Sequence, residues 1–389
     1  MKIGLFSDTF FPEINGVATS CLNLERELTA LGHEVHVFAP RCRGWETAAK
    51  PNFHYLTSVP FLMLKDRNIA LPKFSALQDA VNLRLDVVHT NSEFSMGYFG
   101  LYVARHTGCA LIHTYHTIWR DYTYYVTHGI ADGAAQKMVE KYSEWWCEQF
   151  DRVIAPTEKT EKLLLEYGVD APIDIIPTGI ELSRFAPERH SAAEIGNTRR
   201  QCGVPEGSRV LLSIGRIAKE KNIEQTVRVF PRLLERIPNL YYVIVGEGPM
   251  TEELAALADG LGIGDRVRLV GPKPLSEIDK YYAAGDVFVS ASHSETQGLT
   301  YIEAMSAGLC VCAVDDPCLH NVIEDGQSGI LSGDSDDELL DALLRAFGDE
   351  GRAVALRAPE YAKPFSSVHF AKRIETCYEN ALSRLSGVR

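Results

Sequence analysis

Ser292-His293-Ser294-Glu295-Thr296-Gln297-Gly298-Leu299-Thr300-Tyr301-Ile302-Glu303-Ala304-Met305 is the stretch whose reading decides the fold. Before it runs Asp286-Val287-Phe288-Val289-Ser290, an apolar run of β-formers expected as a buried strand. After it, Tyr301 to Ala307 is rich in helix formers and stops at Gly308. Glu295 therefore falls in a strand-to-helix loop, and Glu303 about one turn into the helix. Gly298 between them frees the backbone to approach a ligand, and the helix N-terminus offers unpaired N–H groups to an anion. Carboxylates grip hydroxyls while helix-end amides grip phosphate. Both at one turn suit a ligand that carries sugar and phosphate together.

The same strand, loop and helix order repeats upstream. Arg209 to Gly215 reads as a buried strand, followed by the loop Arg216-Ile217-Ala218-Lys219-Glu220-Lys221-Asn222 and a helix carrying Ile223, Val227 and Leu234. Arg216 and Lys221 share that loop. Two fixed cations there can hold a diphosphate without a metal and stabilise charge on a leaving group; two solvated loop charges are the plainer alternative. Leu240 to Val245 is the next strand, ending in Gly246-Glu247-Gly248-Pro249 at the same sheet edge, and Arg266–Val270 and Leu309–Val314 supply two more.

The first half has the same grammar. Lys2 to Phe6 is a short apolar strand, Ala18 to Leu31 has helical spacing and ends at Gly32, and His33 to Pro40 is the next strand. This is a βαβ unit, so a parallel sheet follows. Its first loop lacks the dinucleotide pattern G-x-G-x-x-G, yet Gly16 lies at the carboxyl end of strand one, where open α/β sheets bind ligands. Asp86–Thr90 and Ala110–Thr117 are further strand ends, and His116 projects from the second. The segment Glu181 to Ser208, with Pro187, Gly203, Pro205 and Gly207, reads as the linker and the entry to a second domain. The expectation is two doubly wound, Rossmann-like α/β domains facing each other across a cleft, one over residues 1–180 and one over 181–366. A last helix, Ser367 to Leu385, is expected to return to the first domain, so that residues 367–389 belong with it.

Composition narrows the classes. A chain of 389 residues exceeds one ordinary core. No run of roughly 18 apolar residues exists, so no spanning helix is expected. Nine cysteines without paired spacing suggest reduced thiols in a cytoplasmic protein. His113 and His116 lack a third ligand at metal-site spacing, and Asp334-Ser335-Asp336 opens a helix, where capping explains the acids; no metal is expected. The net charge of −13 argues against a general nucleic-acid partner.

Residues 41–73 depart from that balance. Val59-Pro60-Phe61-Leu62-Met63-Leu64 stands beside Lys65 and Arg67, and bulky apolar with basic residues suit docking onto an anionic membrane surface. A strand with solvated charges fits the same residues. Ile118-Trp119-Arg120-Asp121-Tyr122-Thr123-Tyr124-Tyr125 is unusually aromatic for a connector and could line an acceptor pocket or cap the core.

Together these features resemble the retaining glycosyltransferases of family four, which have the GT-B fold of two Rossmann-like domains. The resemblance spans essentially the whole chain and is most specific at Glu295 and Glu303, the family's E-x7-E. Gly215-Arg216, Glu220-Lys221, Gly246-Glu247-Gly248-Pro249 and Gly16 match in order, whereas Gln297-Gly298 stands where most members have Phe-Gly. The resemblance implies that Arg216 and Lys221 hold the donor diphosphate with amides near Gly298, Leu299 and Thr300. It implies that Glu295 contacts the donor sugar, that Glu303 takes the ribose hydroxyls, that His116 lies by the sugar, and that Gly16 and Gly248 border the donor. His116, Arg216, Lys221 and Glu295 would be the catalytic set.

Asn15-Gly16-Val17-Ala18-Thr19, His113-Thr114-Tyr115-His116-Thr117, Asp121-Tyr122 and the opening stretch look, more narrowly, like the bacterial diacylglycerol glucosyltransferases. That likeness implies transfer of α-glucose from UDP-glucose to the 3-position of 1,2-diacylglycerol, with retention and no obligatory metal or other cofactor, by a peripheral enzyme on the inner face of the cell membrane. Phe61, Leu62, Lys65, Arg67, Trp119, Asp121 and Tyr122 would then serve the lipid acceptor or the membrane. Trp119-Arg120 departs from the acidic spelling common there. A glucosyl- or mannosyltransferase for phosphatidylinositol or a soluble acceptor, a nucleotide-sugar epimerase and a non-catalytic sugar-nucleotide-binding protein are the alternatives. Oligomeric state stays open.

Overall fold

The computed structural model describes residues 1–13, 15–60, 68–122 and 132–387. The chain divides into two compact units, one of Met1–Gly179 with Ser367–Arg389 and one of Ile180–Ser366.

In the first unit the strands are β1 (Lys2–Phe6), β2 (Glu34–Pro40), β3 (Phe53–Leu56), β4 (Ser58–Pro60), β5 (Asn68–Ala70), β6 (Val87–Thr90), β7 (Ala110–Thr114), β8 (Arg152–Ala155) and β9 (Ile173–Ile175). Seven form a parallel sheet in the order β3-β2-β1-β6-β7-β8-β9, and β4 pairs antiparallel with β5. Parallel strands are covered on both faces, which is why they read as continuous apolar runs. On one face Ile3 and Leu5 pack with Leu24 and Leu28 of the helix Gly16–Ala30 and with Phe370, Ile374 and Tyr378 of the helix Ser367–Gly387. On the other, Phe6 and Val88 pack with Phe99 and Trp146. The first helix starts at Gly16, ahead of the expected Ala18, because the Asn15 side chain accepts from the Ala18 N–H at 3.0 Å and caps it.

The second unit contains β10 (Arg209–Ile214), β11 (Leu240–Val245), β12 (Val267–Leu269), β13 (Val287–Ser290), β14 (Cys310–Val314) and β15 (Ile330–Ser332). They form one parallel sheet in the order β12-β11-β10-β13-β14-β15. The segment expected as the linker and entry to this domain is folded into this unit. Its helix Ala192–Gln201 opens with a capping box between Ser191 and Glu194, and Phe185, Cys202 and Val204 are buried in the core. Proline and glycine there mark turns between short helical pieces rather than a domain boundary.

Strand order reverses between β1 and β6 in one sheet and between β10 and β13 in the other. The loops leaving those strands splay apart at the reversal, and in open α/β sheets ligands bind in that crevice. Each unit therefore presents one such edge: residues after Phe6 and Thr90 in the first, residues after Ile214 and Ser290 in the second.

Candidate functional site

In the C-terminal unit the loop after β10 and the loop after β13 are tied together. Ser292 Oγ and Ser294 Oγ each donate to the Glu220 carbonyl at 3.4 Å. This brings Lys221 Nζ to 2.5 Å from Glu295 Oε1, both side chains being largely but not fully covered. A partly buried lysine needs a counter-charge, and Glu295 supplies it. Arg216 stands exposed on the same loop.

Gly298 adopts φ +76° and immediately precedes the helix Leu299–Ser306. A Cβ there would run into the Tyr301 ring, so the turn requires glycine on both conformational and steric grounds. The helix begins two residues ahead of the expected Tyr301 because this left-handed turn starts it, so Leu299 and Thr300 are first-turn residues whose N–H groups lie at the positive helix end. Tyr301 is fully buried and donates from Oη to Ser290 Oγ at 2.8 Å, fastening the helix to β13.

Glu303, one turn on, accepts from Tyr282 Oη at 2.6 Å. Burial pushes its carboxyl up to about 7, against the opposing pull of the Tyr282 hydroxyl and of Arg184. Neither Tyr282 nor Arg184 figures in the sequence reading; both come from distant segments, and an acid repeated at helical spacing carries no hint of its partners.

Gly246 and Gly248 lie where two loops meet. Ile217 N donates to the Glu247 carbonyl at 3.0 Å and Met250 N to the Ile217 carbonyl at 3.1 Å. A Cβ on Gly246 would strike the Gly215 carbonyl, and one on Gly248 the Ile217 carbonyl. The two loops lie backbone on backbone, and Gly248 is required by that approach.

Asp334-Ser335-Asp336 is fully engaged. Asp334 accepts from His293 at 3.0 Å, Ser335 and Glu338 form a capping box on the helix Asp336–Ala346, and Asp336 pairs with Arg228 at 3.2 Å. Among the described residues no group of His, Cys, Asp or Glu side chains is arranged to hold a metal ion.

The switch-point edge of the N-terminal unit is polar and mostly buried. Asp8, after β1, accepts from Ser92 Oγ at 2.7 Å, from Ser95 Oγ and from Met96 N at 3.1 Å, so its carboxylate caps the helix Ser95–Thr107. Burial raises its carboxyl above the ordinary range despite those donors. Buried His113 bridges Thr90 Oγ1 (2.8 Å) and Glu93 Oε1 (3.2 Å), and buried His89 bridges Tyr378 Oη and Thr114 Oγ1, both at 2.7 Å. His116, two residues beyond β7, pairs Nε2 with Asn91 Oδ1 at 3.0 Å. Burial, aided by His113, pushes its imidazole down to about 3, so it is neutral at physiological pH. Gly16 is exposed at the start of the first helix, beside this edge.

Of the expected acceptor and membrane residues, Phe61, Leu62, Lys65 and Arg67 lie outside the described residues. Trp119 opens the short 3-10 helix Trp119–Tyr122, which also holds Asp121 and Tyr122, and meets the Phe94 ring edge-on at 5.1 Å. No helix among the described residues is long and apolar enough to cross a membrane.

Comparison with known proteins agrees with this architecture. Residues 14–184 match the family described as Glycosyltransferase Family 4 and residues 194–363 that described as Glycosyl transferases group 1. An alpha-monoglucosyldiacylglycerol synthase of Streptococcus pneumoniae is 37% identical over 98% of this chain and 86% of that protein. A protein of the same name from Acholeplasma laidlawii is 32% identical over 99% of this chain and 98% of its own length. Among solved structures, Anabaena HepE in complex with UDP and glucose superposes with a TM-score of 0.77 over 97% of this chain and 99% of that one, at 17% identity, a likeness of fold. The two parallel α/β units, the paired motif acids and the full-length matches together place the chain in glycosyltransferase family 4.

Proposed function

We propose that this enzyme transfers an α-glucosyl group from UDP-glucose to the 3-hydroxyl of 1,2-diacylglycerol and releases UDP. The observation that carries the reading is the near full-length similarity, at 37% and 32% identity, to two proteins named for monoglucosyldiacylglycerol synthesis. The geometry of the C-terminal unit is compatible with the donor. Arg216 and Lys221 would take the diphosphate, with the first-turn amides at Leu299 and Thr300 beyond Gly298 facing the same anion. Glu295 would then exchange Lys221 for hydroxyls of the transferred sugar, and Glu303 would accept from the ribose.

In the transfer the bond from the anomeric carbon to the UDP oxygen breaks and a bond to the acceptor oxygen forms on the same face. The acceptor's proton passes to the departing phosphate. Negative charge grows on UDP throughout, so the two cations act most strongly in the transition state and no resident metal is required. His116 would lie beside the sugar. The acceptor would enter from the N-terminal unit, where Val59, Leu71 and Phe74 are 42%, 52% and 72% exposed, apolar side chains suited to a bilayer on the cytoplasmic side.

The test is incubation with UDP-glucose, UDP-galactose and GDP-mannose over liposomes containing diacylglycerol or phosphatidylinositol, with and without EDTA, followed by identification of the glycolipid. An α-glucosyl-diacylglycerol formed equally with EDTA is expected. Product on phosphatidylinositol alone, or UDP-glucose turnover that ignores the acceptor, overturns the reading.

A further inference from the structure

Three histidines crowd the carboxyl edge of β6 and β7, and they are not equivalent. His89 and His113 each have both ring nitrogens bound by protein groups. His116 has Nε2 on Asn91 and, among the described residues, no protein partner on Nδ1. It is also only partly buried, whereas the other two are fully buried.

Asn91 is 3% exposed, so each polar end of its amide must be satisfied within the protein. Its backbone N–H donates to the Phe6 carbonyl at 2.8 Å, which places it at the reversal of strand order. Its Nδ2 lies 3.5 Å from the His89 carbonyl, which can only accept. That fixes which way the amide points: Nδ2 toward His89 and Oδ1 toward His116. An amide oxygen can only accept, so the His116 nitrogen facing it carries the proton. A neutral imidazole has one N–H, and the other nitrogen is then a lone-pair acceptor.

We propose that Asn91 is a positioning residue for glucosyl transfer: it locks His116 as the Nε2–H tautomer and so reserves Nδ1 to accept from a hydroxyl of the transferred sugar. This rests on the proposed reading of His116 as the sugar-facing histidine. A histidine of the other tautomer would present an N–H to the same hydroxyl, and the hydroxyl's own proton would lose its acceptor.

Nitrogen-15 NMR of the full-length histidine-labelled protein reads the tautomer directly, with His116 assigned by its loss in His116→Gln. In the wild type Nε2 is expected protonated and Nδ1 unprotonated. Asn91→Ala should give a mixture of the two tautomers and a kcat lower by about 10-fold, the worth of one hydrogen bond, with the UDP-glucose KM little changed. Asn91→Asp, whose carboxylate likewise only accepts, should keep the Nε2–H tautomer and recover most of the rate at pH 8. An unaltered tautomer in Asn91→Ala overturns the positioning role. A shifted tautomer with unaltered kcat, or an active His116→Gln, overturns instead the sugar-facing reading on which the proposal rests. Asn91→Asp also covers the case in which Asn91→Ala does not fold.

Discussion

Lys221→Ala should cost far more in rate than in stability. Lys221 Nζ sits 2.5 Å from Glu295 Oε1, with side-chain exposures of 28% and 15%. A pair so placed is partly screened, and its loss should cost about 1 kcal/mol, or roughly 2–4 °C in the melting of a unit this size. On the mechanism proposed above, the same ammonium would face charge developing on the departing diphosphate. Removing one preorganised donor of this kind lowers kcat about 100- to 1000-fold, or about 3–4 kcal/mol. The substitution also removes one positive charge from beside Glu295 and the proposed phosphate position, so the donor KM should rise as well. UDP release at saturating diacylglycerol, measured with a melting curve on the same sample, separates the two effects. A kcat within a few-fold of wild type would remove Lys221 from the transition state. A rate loss matched by a comparable loss of stability would show that the pair only holds the two loops together.

Three further outcomes follow from the geometry. Glu303 keeps its proton up to about pH 7 when folded but only to 4.5 when unfolded, so its contribution to stability falls as pH rises across that window and is level above it. Glu303→Gln should therefore raise the melting temperature at pH 8 and leave it unchanged at pH 4.5, while UDP affinity measured by calorimetry drops about 10-fold or more. Gly248→Ala should push the loop after β11 off the Ile217 carbonyl; a fall in melting temperature with a parallel loss of donor binding is expected, and a neutral result in both would show that the loops can separate. Tyr378→Phe strands one nitrogen of the fully buried His89 and should cost about 1–3 kcal/mol of stability by denaturant titration with little change in kcat, since it lies below the edge rather than on it.

What could be read in advance depended on how locally each feature is encoded. The alternation of strand and helix was legible in both halves because fully covered parallel strands are continuous apolar runs separated by loops that carry the charges. Lys221, Glu295 and Glu303 were legible as members of motifs, and the ties from Ser292 and Ser294 to Glu220 now show how the two loops are held together. Asn91, Glu93 and Asp8 were missed. Each is one polar residue just past a strand end, and its partner is set by strand order: Asp8 meets Ser92 only because β6 lies beside β1. The signal was present in the run Asn91-Ser92-Glu93, polar and buried at the same edge as His116, but it becomes readable only when the reversal point is known. Gly248 carries a second constraint that sequence does not show. A glycine beside a ligand loop invites a ligand explanation, and here a second backbone also occupies the space its side chain would need.

The helix Ser367–Gly387 belongs to the N-terminal core although the whole C-terminal unit precedes it in the chain. Phe370, Ala371, Ile374, Cys377, Tyr378 and Ala381 fill one face of the first sheet, and buried apolar side chains of the larger kinds contribute about 1.5–3 kcal/mol each. Synthesis therefore delivers the two units in reverse: residues 180–366 can close their core while the part of the first sheet's face that the last helix covers, beside the helix Gly16–Ala30, is still open to water. During that interval His89 lacks Tyr378, and the edge that carries Asn91 and His116 is only partly supported. The enzyme thus carries a built-in order of assembly, in which the unit bearing Arg216 and Glu295 is complete before the unit bearing His116 can be.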